Sequence, residues 1–278
     1  MVIGVVGKGG SGKSTIATLL TKHLHQQGNV VLAVDADHNM DLALNLGHNG
    51  NGPFIGGSFL TLRETFGVTG NEPTEHIFVY GAPEHRFSLD PLDTYTQKHT
   101  HELAPNLHLM MSGPQHEQVL YGQHCSHSLA APLKIYLPLL SLAHNQWVVV
   151  DEKASVDAVS TGIPTGFDVA VVVAEPRLHS LRVADQILRL LDWYDVPAVF
   201  VLNKVTDIEA EAAAAMEITH RTIAAHFRTE LSPLTHTATD TVQSLIETLA
   251  KIPHTNEIRL DRTIAKYKRN DTFASLQS

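Results

Sequence analysis

The chain has 278 residues, 43% of them hydrophobic, and a formal net charge of −9. That length and apolar content suit one large α/β domain spanning 1–278, and the acidic balance disfavours nonspecific binding to nucleic acid or to an anionic membrane. The lone cysteine excludes an internal disulfide, and the most apolar stretch, Leu129 to Val150, is broken by Pro132, Lys134, Pro138 and His144, so no membrane span is expected.

Val2-Ile3-Gly4-Val5-Val6 is an apolar run that reads as a buried strand, and with a strand starting at Val2 no signal peptide is expected. Gly7-Lys8-Gly9-Gly10-Ser11-Gly12-Lys13-Ser14-Thr15 follows, then a helix over Thr15 to Gln27 with Ile16, Leu19, Leu20 and Leu24 on one face. This is the G-x-x-x-x-G-K-[ST] pattern of a phosphate-binding loop, set between the strand and the helix it needs. Glycines let the backbone close on phosphate oxygens, Lys13 reaches the β- and γ-phosphates, and the Ser14 hydroxyl ligates Mg²⁺.

Val30 to Asp35 is a second buried strand ending in an acid, followed by Ala36-Asp37-His38-Asn39-Met40-Asp41. Asn45 to Gly57 reads as a glycine-rich loop, Phe59 to Phe66 as a short helix, and 67–106 as polar and irregular. Further strands are expected at Leu107 to Met111, Trp147 to Asp151, Val169 to Ala174 and Ala198 to Asn203, with helices over Leu178 to Tyr194 and Ile208 to Phe227. The tail from Asn256 is charged and weakly periodic. Continuous apolar strands joined by helices predict a mostly parallel sheet covered on both faces, with ligands beyond the carboxyl ends of the strands, where Asp35 and Asp151 lie.

The lysine directly after the first glycine, Lys8, makes KGGSGKST resemble the deviant Walker A ATPases: the MinD and ParA proteins, the nitrogenase iron protein and the metallochaperone ATPases. The resemblance implies ATP or ADP with Mg²⁺ as cofactors, a homodimer closed by ATP, and Lys8 reaching the partner's nucleotide. It implies that Asp37 positions or activates the attacking water, with helix capping as the alternative reading, and that Asp35 and Asp151 hold the Mg²⁺ shell directly or through water. Lys8, Lys13, Asp37 and Asp151 are then the catalytic set. Gly7 to Thr15 cradles the phosphates. Asn203 reads adenine and Lys204 lies over the ring, although an asparagine ending a strand is also a common turn residue. Lys153 and Ser155 stand where the metallochaperone branch usually has glutamate and glycine, which implies slow turnover.

The nickel-insertion ATPases of carbon monoxide dehydrogenase resemble most of the chain, including Pro91-Leu92-Asp93 to Met111 and Asp168 to Glu175-Pro176. Where that type carries Cys-x-Cys, this chain has Cys125-Ser126-His127, within a stretch from His85 to His127 that holds seven histidines. The resemblance implies Ni²⁺ or Zn²⁺ bound by Cys125 and His127 across a dimer, and a client metalloenzyme. A lone cysteine is also a small buried hydrophobe. The alternatives are a ParA/MinD-type positioning ATPase, for which the tail is poorly apolar and the charge too negative, and a nucleotide-binding protein with little turnover. A cytoplasmic location is expected.

Overall fold

The computed structural model describes the chain except residues 71, 73–75, 80–83, 115–128, 229–235 and 278. Its strands are β1 (Val2–Gly7), β2 (Val30–Asp35), β3 (Phe87–Ser88), β4 (Thr100–Ala104), β5 (Leu107–Met111), β6 (Leu140–Ser141), β7 (Gln146–Asp151), β8 (Val169–Ala174), β9 (Ala198–Val205) and β10 (Ile223–Arg228). Eight of them form one sheet in the order β10-β9-β8-β1-β7-β2-β5-β4, parallel throughout except for the antiparallel edge pair β4 and β5. The helices are α1 (Lys13–Gln26), α2 (Asp41–Asn45), α3 (Phe59–Thr65), α4 (His76–Val79), α5 (Thr94–His99), α6 (Leu133–Tyr136), α7 (Val156–Ser160), α8 (Leu178–Trp193), α9 (Ile208–Thr219), α10 (His236–Ala250) and α11 (Asn256–Gln277).

Every residue of β1, β2 and β8 is buried. Alternation along the strands sends Val2, Val6, Leu32 and Val34 into one layer and Ile3, Val5, Val31 and Ala33 into the other. The second layer is closed by Ile16, Leu20 and Leu24 of α1 and Leu245 and Leu249 of α10. The first is closed by Leu181, Ile187 and Leu191 of α8 and by Leu260 of α11. Two covered faces explain why these strands read as unbroken valine-rich runs.

Three stretches differ from the sequence reading. The helix expected over Ile208 to Phe227 stops at Thr219, because His220 turns left-handed at φ 52°, and Ile223–Arg228 pairs in parallel with β9. The irregular 67–106 contains α5 and β4; Asp93 caps α5 by accepting the N–H groups of Tyr95 and Thr96 at 2.8 and 3.0 Å. The charged tail is α11. Its anchor is Arg259, whose Nη1 donates to both oxygens of Asp168 at 2.9 and 2.8 Å and whose Nη2 donates to the Leu140 carbonyl and to Asn256 Oδ1. Asp168 Oδ2 also accepts the Val2 N–H at 2.6 Å. This ion pair, with side chains 1% and 0% exposed, ties β1, β8 and α11 together at the sheet end remote from the loop.

Removing one partner of a buried pair strands the other charge. Arg259→Ala should therefore lower stability by about 3–5 kcal/mol. Arg189→Ala, which breaks the exposed pair to Asp185, should leave the unfolding midpoint nearly unchanged. Urea unfolding of both variants checks the contrast.

Candidate functional site

β1 delivers the loop and β7 and β2 deliver the acids. Asp35 and Asp151 are register partners on adjacent parallel strands, so their carboxyl groups stand side by side. The loop that follows Gly7 is drawn tightly against its neighbours. A Cβ on Gly7 would lie 2.3 Å from the Val173 carbonyl oxygen, and one on Gly12, at φ +94°, would lie 2.1 Å from Asn203 Nδ2. Only glycine fits either position. Helix α1 begins at Lys13, two residues earlier than the periodicity suggests, because left-handed Gly12 turns the chain straight into it. Lys13 is 7% exposed; Lys8 is half-buried at the loop's start. Gly10, Lys13, Ser14, Thr15, Asp37 and Asp41 are among the residues lining a cleft of about 430 Å³.

The acids are not equivalent. Asp35 is fully buried; Oδ1 accepts the Asp37 N–H at 3.2 Å and Oδ2 the Ala43 N–H at 2.9 Å. Both oxygens thus fix the turn into α2. Burial, and then the neighbouring Asp151, push its pKa up to about 8 despite those two donors. Asp151 is raised to about 7 by burial, against the downward pull of Ser14 and Lys13. Neither of its oxygens has a hydrogen bond of ordinary geometry among the described residues. Glu152, a further buried acid, is raised to about 8 by burial and by Asp151, and its Oε2 is likewise unpartnered there. Sequence reading passed over Glu152; its signal was an acid directly after the strand-ending Asp151. Asp37 is partly exposed and accepts the Asn39 N–H at 3.2 Å, with His38 Nδ1 at the same distance. It does not cap α2, whose N-cap is Met40.

Asn203 and Lys204 turn toward the loop. Asn203 Nδ2 donates to the Ser11 carbonyl at 2.8 Å, and Lys204 Nζ donates to the Gly10 carbonyl at 2.6 Å while pairing with Glu175. Ser155 occupies φ +104°, in the region that favours glycine, and its N–H donates to the Gly7 carbonyl at 3.2 Å. Cys125 and His127 lie outside the described residues. Among the described residues no three His, Cys, Asp or Glu groups are placed to hold a metal ion; Mg²⁺ needs only one or two protein ligands when phosphates and water complete its shell.

Two outcomes follow from this geometry. The folded chain keeps a proton on Glu152 between about pH 4 and pH 8 that the unfolded chain has released. Raising pH through that window therefore costs stability, and the cost is complete above it. Glu152→Gln should raise the melting temperature of the nucleotide-free protein at pH 8.5, and the gain should vanish near pH 4. Ser155→Gly, by relieving a left-handed serine, should stabilise by about 1 kcal/mol in the same melts.

A family model described as the CobQ/CobB/MinD/ParA nucleotide binding domain matches residues 2–277. An uncharacterised ATP-binding protein of Methanocaldococcus jannaschii is 29% identical over 74% of this chain and 80% of its own length. The carbon monoxide dehydrogenase accessory protein CooC of Rhodospirillum rubrum is 29% identical over 67% of each chain. The septum site-determining protein MinD of Pyrococcus horikoshii, solved in complex with Mg-ADP, shares the fold with a TM-score of 0.53 at 17% identity, covering 100% of this chain and 98% of its own. A match over nearly the whole length, on a loop and strand-end acids arranged as above, places this chain in the CobQ/CobB/MinD/ParA nucleotide-binding family.

Proposed function

We propose that the chain works as one ATPase domain, 1–278, that dimerises with ATP, hydrolyses it slowly, and assists insertion of a metal, nickel by our reading, into a client metalloenzyme. One observation carries the ATPase part: the Lys8 to Thr15 loop closes beside a buried carboxylate, Asp151, whose oxygens make no hydrogen bond of ordinary geometry among the described residues and feel only the pull of Ser14 and Lys13. An orphaned acid beside a lysine and a serine hydroxyl fits a bound dication and phosphates. Ser14, and Asp151 through water, would hold Mg²⁺, which would neutralise charge on the β- and γ-phosphates. Lys13 meets the phosphates from the helix side. Asp37, at the cleft wall, orients the attacking water by accepting its hydrogen bond. Lys8 supplies a second ammonium where two nucleotides face each other across a homodimer. Asn203 serves the adenine edge and at the same time braces the loop. Slow turnover follows from Ser155, which brings a strained residue and a side chain to the position where relatives use glycine.

The metal-insertion part is supported by the identity with CooC and by Cys125-Ser126-His127. Thiolate and imidazole are good ligands for Ni²⁺ or Zn²⁺, and two subunits would supply two of each. Nickel is cargo here and the client its destination. We assign the protein to the cytoplasm and expect neither nucleic acid nor membrane as partner; among the described residues no helix is long and apolar enough to cross a bilayer.

Lys13→Ala should abolish ATP binding in calorimetry. Lys8→Ala should bind ATP but form much less dimer with a nonhydrolysable analogue in light scattering. Elemental analysis of the ATP-loaded native protein should find roughly one metal ion per dimer, and Cys125→Ser with His127→Ala should remove it while leaving ATP binding intact. Equal metal content in that double variant would remove the basis for the insertion role.

A further inference from the structure

A second cavity, about 630 Å³, shares no lining residue with the nucleotide cleft. Its wall is α3, the 54–58 turn and the segment from Leu92 into α5. Phe54, Leu62, Phe87, Leu92 and Tyr95 make it largely apolar and aromatic, and its size lies in the range that encloses a small organic molecule.

The polar groups around it are mostly committed. Asp93, the only acid among the described lining residues, accepts the N–H groups of Ser88, Tyr95 and Thr96 and the Thr96 hydroxyl. Four donors leave that carboxylate little to offer a cation. The Tyr95 hydroxyl meets Ser58 Oγ at 2.8 Å, Ser58 Oγ donates to the Ile55 carbonyl, and the Thr65 hydroxyl donates to the Thr61 carbonyl. His99 Nδ1 faces the Tyr95 carbonyl at 2.9 Å, which can only accept, so the neutral ring carries its proton there. His85 lies edge-on to Phe66 and Phe87 with centroids 5.6 and 5.1 Å away. Lys98 is the cation left over: it lines the cavity, is exposed, and makes no hydrogen bond or ion pair among the described residues. An aromatic wall with one uncommitted ammonium selects a flat ring bearing an anionic group. Among the described residues a metal ion finds no ligand set here, and an organic cation finds no available acid.

We infer that this cavity is a binding site for a small aromatic anion, a ring system carrying a carboxylate or sulfonate, with the ring against Phe87 and Tyr95 and the anion on Lys98. It does not depend on the nucleotide reading.

The test uses the full chain and two dyes of similar shape, 8-anilinonaphthalene-1-sulfonate, an anion, and N-phenyl-1-naphthylamine, which is neutral. Fluorescence titration should show one saturable site for the anion. Lys98→Glu, at an exposed position, should weaken the anion about tenfold or more, because a charge-assisted contact is lost and repulsion is added. It should change affinity for the neutral dye less than twofold. Gly57 lines the cavity, and a Cβ there meets no atom within 4 Å, so Gly57→Trp should crowd the cavity mouth without moving backbone and weaken both dyes at least tenfold. Unchanged anion affinity in Lys98→Glu, or full dye binding in Gly57→Trp, would overturn the assignment. ATP calorimetry on the same proteins reports separately: a parent chain that takes the dye but not ATP defeats the ATPase reading and leaves this one standing.

Discussion

Like charges crowded out of water govern the design of the site. Asp35, Asp151 and Glu152 are all buried at the ends of β2 and β7, with Lys13 as a buried cation beside them. Burial raises all three acids into or above the neutral range, so they keep protons that exposed carboxyls would shed. The fold tolerates this because the parallel register holds the strand ends in place with a core of some forty apolar side chains on one face alone. Asp35 is compensated by two backbone donors. Asp151 has only the pull of Ser14 and Lys13, and in our reading a dication and phosphates complete its charge balance.

The loop is held from behind as firmly as from below. Asn203 and Lys204 leave the end of β9 and grip two successive carbonyls of the loop, those of Ser11 and Gly10. Glu175, just past β8, holds the lysine. The ends of β8 and β9 therefore fix one turn. The glycine at Gly12 is required by this brace, since a methyl group there would displace the Asn203 amide. One N–H of that amide is already committed, so a base edge would have to use the remaining N–H or the oxygen.

The sequence made the core strands and the loop legible because their causes are local: unbroken valine runs, glycines and a lysine at fixed spacing. The strand at Ile223–Arg228 was hidden because alanine-rich α9 has no glycine or proline at its end, and the stop comes from a left-handed histidine. β4 was hidden because it is a short edge strand paired on one side, with Thr100, His101 and Glu102 where no two-sided burial demands apolar residues. At the site, residue types could be read but not their partners. That Asp35 binds the Ala43 N–H, or that Lys204 reaches Gly10, depends on how α2 and β9 come to rest, and no spacing along the chain encodes it. Ser155 is the intermediate case. Its place in the pattern marked it as a departure, and the backbone angle shows what the departure costs.

Strand β1 pairs with β7 on one side and β8 on the other, so both its neighbours lie more than 130 residues downstream. A strand made before either of its partners therefore cannot be seated until both have followed it. At roughly 5–20 residues per second, an apolar strand with two open edges waits on the order of ten to thirty seconds for its partners. Asp168, which meets the Val2 N–H, waits further for Arg259. A nascent chain of this topology is a natural client for the holding chaperones that meet proteins at the ribosome, and a truncated product ending before β8 would carry the complete phosphate-loop sequence with nothing to hold it in shape.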